Sequence, residues 1–341
     1  MTEPSHSSMF EKAIAVTPID ANTYSAYLDP ACVLYRTAAT HFARKHTATH
    51  AELKQGRGRR RIRSLEPIVL QITFQRRTFA GSAILTVQEI KLGARVSTIH
   101  VTLSQARDQG AAAGSEDRSK LEVKVLAYIT LAPPDMEESP RVRGAGPWAD
   151  LPPGSPPGSL GGGAIDFRAL AEDGKDGEWR AGPPAPPSLY AAKHLKIYSP
   201  SSTLLPKTVE ERVGQMVDQW AQFAPGGTPA RWSNEAVVAG PAEGSGGAAL
   251  NGRATTDQGL VQFWYPTVTM NIDLKTRLPP GGVEWLHSRV VTRMVRGSRA
   301  DLEVLILDQD GELIATSTQV ALVVDPARNV KGRLQADSGK L

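Results

Sequence analysis

The groups in this chain best placed to do chemistry are its seven histidines, its single cysteine, and two short runs of hydroxyl and amide residues. His46 and His50 are four residues apart, a spacing that sets two imidazoles on one helix face, and His41 precedes them. A zinc hydrolase helix would carry a Glu between such a pair, whereas Thr47, Ala48 and Thr49 stand here, so the trio reads as a solvated helix face and no metal is expected. His100 and His287 lie in strand-like runs and read as sheet residues outside any Ser-His-Asp set. Thr269 and Gln319 belong to runs rich in Thr and Ser, and by composition alone they read as the polar side of half-solvated strands. A positive cluster, Arg57, Arg59, Arg60, Arg61 and Arg63, sits in a Gly-Arg loop without interleaved aromatics or a nucleic-acid-binding motif. It reads as a solvated loop, or as a holder of the phosphates of a coenzyme A moiety, and no nucleic-acid partner is expected.

The elements that must carry these groups are mostly strands. Ile68, Leu70, Ile72 and Phe74 alternate with other residues, as do Leu121, Val123, Val125, Ala127 and Ile129, and later Leu302, Val304 and Ile306, followed by Leu313, Ala315 and Ala321. Period-two alternation predicts antiparallel sheets with one buried face. Asp29 as N-cap, Pro30 at the first helical position, and Leu34, Ala38 and Phe42 at a spacing of four predict one helix in the first half. In the second half only Asn234 to Ala239 suits a helix, because Gly240, Pro241, Gly244, Gly246 and Gly247 follow. Between Pro133 and Pro187 the chain is rich in Pro and Gly and reads as a linker. The expected organisation is residues 1–132 and 188–330 as two domains, 133–187 as linker, and 331–341 as tail. The halves also repeat: the run from Lys91 through Gly93 to Gln105 matches that from Val295 through Gly297 to Gln309 without gaps, each Gly predicting a hairpin. Two equivalent halves joined like a covalent dimer are expected.

The wording of these strands resembles the acyl-CoA thioesterase II-like proteins, of the thioesterase-like superfamily, in their fungal type. The resemblance rests on Trp264 to Thr269, Gly282 to Leu286 and Gly311 to Val324, with support from Phe74 to Thr78 and Ser97 to Gln105. It covers about two thirds of the chain, leaves out the linker, and implies an α+β double hot-dog fold. It also implies a hydrolytic trio: an Asp on the second-half helix, a hydroxyl on the next strand and a Gln on the last. Gln319 and Thr269 fall on the last two positions, and Gly240 stands where the Asp should be. Glu235 and Glu243 lie off register from it and Asp257 further along. In the first half Val69 and Leu131 fall on the positions of Thr269 and Gln319, so one polar site is expected. The first helix is entered by Leu28 to Cys32 instead of the family's Gly-Gly-Tyr, and no close approach of backbone to ligand is expected there.

The implied partner is a hydrophobic acyl or polyketide-like small molecule, CoA-linked or not, with no separate cofactor. Three functions follow: hydrolysis of a thioester, as a tailoring step of secondary metabolism; a non-hydrolytic isomerase, cyclase or dehydratase; or a catalytically dead binding module. With 341 residues, 40% hydrophobic and 22% charged, the chain suffices for two packed domains. No apolar run approaches the roughly 20 residues of a membrane span. The opening residues lack a secretory signal and Cys32 is alone, so a cytoplasmic location is expected. Ser338 to Leu341 resembles a peroxisomal address with Gly339 in the place of a Ser-like residue. A homo-oligomer is compatible with all three functions.

Overall fold

The computed structural model describes residues 12, 14–27, 34–45, 65–78, 81–93, 95–107, 120–133, 165–182, 195–201, 213–214, 216–239 and 265–324. Contacts divide the chain into one unit of Met1–Gly144 with Asn271–Lys275 and a second of Ala145–Met270 with Thr276–Leu341.

In the first unit the strands are β1 (Thr17–Pro18), β2 (Thr23–Ala26), β3 (Glu66–Phe74), β4 (Ala83–Lys91), β5 (Ser97–Ala106) and β6 (Leu121–Ala132), with helix α1 at 34–45 between β2 and β3. They pair antiparallel in the order β1-β2-β4-β5-β6-β3. Strict alternation explains the sheet: Ile99, Val101 and Leu103 are buried while Thr98, His100 and Thr102 are half-exposed. Leu34, Ala38 and Phe42 of α1 are fully buried, one apolar face as the spacing predicts.

The second unit carries helix α2 (Phe167–Asp173), then β7 (Lys175–Asp176), β8 (Trp179–Ala181), β9 (Leu195–Pro200), β10 (Met216–Phe223), helix α3 (Asn234–Ala239), the start of β11 (Thr267–Leu274, whose residues from Asn271 on group with the first unit), β12 (Trp285–Arg296), β13 (Arg299–Leu307) and β14 (Leu313–Leu322). Its strand order is β11-β14-β13-β12-β10-β9-β8-β7. Each unit thus holds a strand, a helix and four further strands, ordered β2-β4-β5-β6-β3 and β10-β12-β13-β14-β11. This is the hot-dog arrangement, twice in one chain. The second helix is described over six residues, Asn234–Ala239.

The hairpins that the repeat predicted are both present, with a difference. Arg296 pairs with Arg299 across a two-residue turn in which Gly297 (φ 56°) and Ser298 (φ 58°) are both left-handed, the type I′ geometry that follows strand twist. In the first unit Lys91 pairs with Thr98 across a longer loop, and Gly93 is not left-handed; a Cβ there would stand 2.4 Å from the Val96 carbonyl oxygen. The ungapped match therefore slips by one residue. It sets inward Ile99 and Val101 on outward-facing Glu303 and Leu305, whereas the buried residues of β13 are Leu302, Val304 and Ile306.

The linker reading fails over its best-described part. Ile165 to Gly182 form α2, β7 and β8, with Asp166 accepting from the Arg168 and Ala169 amides at 2.9 and 3.0 Å as N-cap. Phe167 packs on Trp220 and Trp285 with ring centroids 4.7 and 5.2 Å apart, and Leu170 and Trp179 are buried beside Tyr198. Ile165, Phe167, Leu170 and Trp179 anchor this stretch, and the Pro and Gly around it hid them in the average composition.

Candidate active site

Thr269 and Gln319 lie on neighbouring strands of the second unit. The Leu322 amide donates to the Pro266 carbonyl at 2.9 Å, setting those two residues opposite each other on antiparallel strands. The Thr276 amide donates to the Ile314 carbonyl at 3.3 Å further along, in a register two residues from the first, and both contacts set the odd-numbered residues of β11, Thr269 among them, on the face of Gln319. On β14 that face carries Ala315, Ser317, Gln319 and Ala321, all buried, while Thr316, Thr318, Val320 and Leu322 face the other way and are more exposed. Gln319 pairs with Leu302 and Ser317 with Val304 on β13, so the polar pair stands beside an aliphatic floor. Thr269 is half-buried. Ala236, Val237 and Val238 of α3 are fully buried. The helix is placed by a bridge just before it, in which the Trp232 amide donates to the Val283 carbonyl at 2.7 Å, and by the Leu278 amide donating to Asn234 Oδ1 at 2.9 Å. Glu235 lies in the first turn of this helix. Gly240, Glu243 and Asp257 lie outside the described residues, as do Cys32, His46, His50 and the Arg57 to Arg63 cluster. In the first unit Val69 is half-buried and Leu131 is buried; a bulge separates them, with Leu131 opposite Pro67 and Val69 opposite Thr130.

The other face of the second sheet holds a cluster that reading the sequence missed. Asp218 of β10 lies opposite Arg289 of β12, and Trp220 lies opposite His287. Arg289 grips the Asp218 carboxylate with Nε at 2.8 Å and a second nitrogen at 3.2 Å, both partners buried. His287, fully buried, brings Nε2 to 3.2 Å from Asp218 Oδ1 as an ion-pair contact rather than an aligned hydrogen bond, and its Nδ1 has no partner. Its ring lies between Trp220 and Trp179, at 5.1 and 6.4 Å. Burial by itself would raise the Asp218 carboxyl; His287 and Arg289 outweigh it and hold the group at about 2. The cluster contains no nucleophile, and its best-satisfied contacts are internal, so it reads as a structural ion pair. Burial on both faces from Trp285 to Val290 was the signal that a second layer covers this strand.

His41 is a correction to the solvated-face reading. It is buried in the first unit, with Nδ1 2.9 Å from the Tyr24 hydroxyl and Nε2 2.8 Å from Glu89 Oε1. Glu89 also pairs with Lys45, and Arg44 donates to the Tyr24 hydroxyl at 3.3 Å. Burial lowers the His41 pKa, partly offset by Glu89. For Glu89 burial pulls upward, but Lys45 and His41 outweigh it and lower the carboxyl. Both folded values lie below the unfolded ones, so the stability they contribute is complete above the ordinary histidine range and is lost as pH falls through it and then through the carboxylate range. His41→Ala is expected to cost about 2–4 kcal/mol, since it leaves a cavity and takes from the buried Tyr24 hydroxyl its His41 partner, with only the longer Arg44 contact remaining. Urea unfolding at pH 7 and pH 5 checks this: the wild type should lose stability between the two, and the variant should lose less. His100, half-buried against Tyr128 at 4.9 Å, is a sheet residue as read. Among the described residues no group of His, Cys, Asp and Glu is arranged to hold a metal ion, and no helix is long and apolar enough to cross a membrane.

Two antiparallel sheets, each with its own helix in the same strand order, define a double hot-dog protein. The chain belongs to the acyl-CoA thioesterase family: residues 30–131 match the acyl-CoA thioesterase N-terminal domain and residues 169–323 the C-terminal domain. The latter match begins within α2, inside the stretch that composition assigned to a linker. The chain is 32% identical over 292 residues to the thioesterase-like protein TwmA of Talaromyces wortmannii, covering 77% of this chain and 78% of that one. It shares its fold with the acyl-CoA thioesterase II TesB2 of Mycobacterium marinum (TM-score 0.54, 14% identity, 94% of this chain and 98% of that one). A hot-dog protein of unknown function from Alicyclobacillus acidocaldarius is similar to the same degree (TM-score 0.51, 15% identity, 94% and 99%).

Proposed function

We propose that this protein binds an acyl thioester in its second unit, between the strand of Thr269 and the strand of Gln319, and hydrolyses it slowly. The observation that carries the reading is the pairing of a hydroxyl and an amide on one face of adjacent strands, in a chain of the acyl-CoA thioesterase family. Hydrolysis needs water to add to the thioester carbonyl carbon, a base to take the water's proton, and the C–S bond to break, leaving a carboxylic acid and a thiol. Gln319 and Thr269 have the groups to orient the water or the carbonyl. By the resemblance, Gly240 stands where the family's Asp base is expected, and a positioned base typically contributes about 10²- to 10⁴-fold in rate. Turnover is therefore expected to be that much slower than in relatives that keep the Asp. The acyl group is hydrophobic, carried on coenzyme A or a similar thiol, and a tailoring step in secondary metabolism suits an enzyme of this kind.

Incubating the full chain with acyl-CoA thioesters of graded chain length, while following free thiol, tests the reading. Slow, protein-dependent thiol release supports it. The missing carboxylate favours a second reading, in which the same site binds a hydrophobic metabolite and isomerises, cyclises or dehydrates it. No thiol release, with a hydrophobic metabolite found by mass spectrometry on the purified protein, would favour that reading.

A further inference from the structure

Ser317 lies two residues before Gln319 on β14, on the same inward face, and its hydroxyl is buried with no hydrogen-bond partner. Its cross-strand neighbour on β13 is Val304, which offers none. A serine hydroxyl rotates freely to find an acceptor, and a buried polar group left unpaired costs the fold, so a partner from outside the chain is the economical explanation. Residues two apart on a strand are separated by roughly 7 Å, and Gln319 has the longer arm, so a single oxygen between them is within reach of both.

We infer that Ser317 is a third ligand-contacting group of this site, donating its O–H to the carbonyl oxygen of the bound acyl group. This rests on the site proposed between Thr269 and Gln319. In that role Ser317 supplies a neutral donor where charge develops on the carbonyl oxygen during water addition. In this role Ser317 acts as a neutral donor only: it takes no proton and forms no covalent bond.

The test uses two coenzyme A thioethers of equal chain length, neither hydrolysable: a 2-oxoalkyl probe that keeps a carbonyl and an alkyl probe that lacks one. Calorimetric titration of the full chain is expected to show Ser317→Ala binding the oxo probe about three- to tenfold more weakly and the alkyl probe about as well as the wild type. Without ligand, the same variant should melt at the wild-type temperature or about 1–3 °C above it, because an unpaired buried hydroxyl has been removed. Equal loss on both probes, no loss on either, or a lower melting temperature would overturn the inference. Gln319→Ala separates the two levels. If it weakens binding while Ser317→Ala does not, only the role of Ser317 falls. If neither substitution matters, or the wild type binds neither probe, the site itself is misplaced and both readings fall.

Discussion

Asp218→Asn is expected to destabilise the protein by roughly 3–5 kcal/mol, the largest loss of any single polar substitution proposed here, because it leaves the buried Arg289 guanidinium without its counter-charge. The sign of the pH dependence follows from the same pair. The Asp218 carboxyl is depressed from 3.8 to about 2, so its contribution is complete above the unfolded value and is lost as pH falls through the folded one. That difference corresponds to about 2 kcal/mol. The variant loses more than acidification does, since Asn changes the shape and hydrogen bonding of the acceptor as well as its charge. Chemical unfolding at pH 7 measures the first figure. Replacing both partners, as Asp218→Leu with Arg289→Met, should recover much of the loss, since neither charge then remains buried alone. A double variant as unstable as Asp218→Asn would mean that the aromatic layer over the pair, and not the pair itself, dominates.

The contrast between this cluster and the strands around it explains what could be read in advance. Ile99, Val101 and Leu103, or Leu302, Val304 and Ile306, announce themselves because each strand carries its own period, and neighbours in sequence decide it. The second helix was legible for a similar reason, Asn234–Ala239 being the stretch of its region free of Gly and Pro. Asp218, His287 and Arg289 have no such signature. They lie about 70 residues apart and meet only because β10 pairs with β12 in one register. Residues 165–182 were hidden by averaging, since a window wide enough to show Pro and Gly enrichment dilutes Phe167, Leu170 and Trp179. His41 failed differently: its spacing to His46 and His50 suggested a surface, but its own position is one turn from buried Ala38 and beside Phe42 on the helix. For the candidate site, Thr269 and Gln319 were found through resemblance alone. Ser317 could not be found at all, because an unpartnered hydroxyl is a property of surroundings and not of sequence.

Gln319→Ala is expected to abolish thioester turnover and to leave the fold intact, the largest functional effect of any substitution considered. Gln319 is buried on the face that Thr269 shares, where an amide supplies both a donor and an acceptor to whatever occupies the site. In a site that lacks an aligned carboxylate base, orientation of the water or carbonyl is the main catalytic term left, and of the groups proposed to supply it Gln319 has the longest reach and offers both a donor and an acceptor. A loss of about 10²-fold or more, which from an already slow rate reaches the level of the uncatalysed reaction, is the expected result. Thr269→Val should cause a smaller loss, because Thr269 is only half-buried and water can replace its hydroxyl. His100→Ala provides the control: His100 packs on Tyr128 in the first unit, and its removal should leave turnover within about twofold of wild type. The assay is thiol release at saturating acyl-CoA, with melting temperatures measured beside it. A Gln319→Ala variant that melts like the wild type and turns over at the wild-type rate would make Gln319 an ordinary sheet residue. The catalytic group would then have to come from elsewhere in the second unit, with Glu235 at the start of α3 the first carboxylate to substitute.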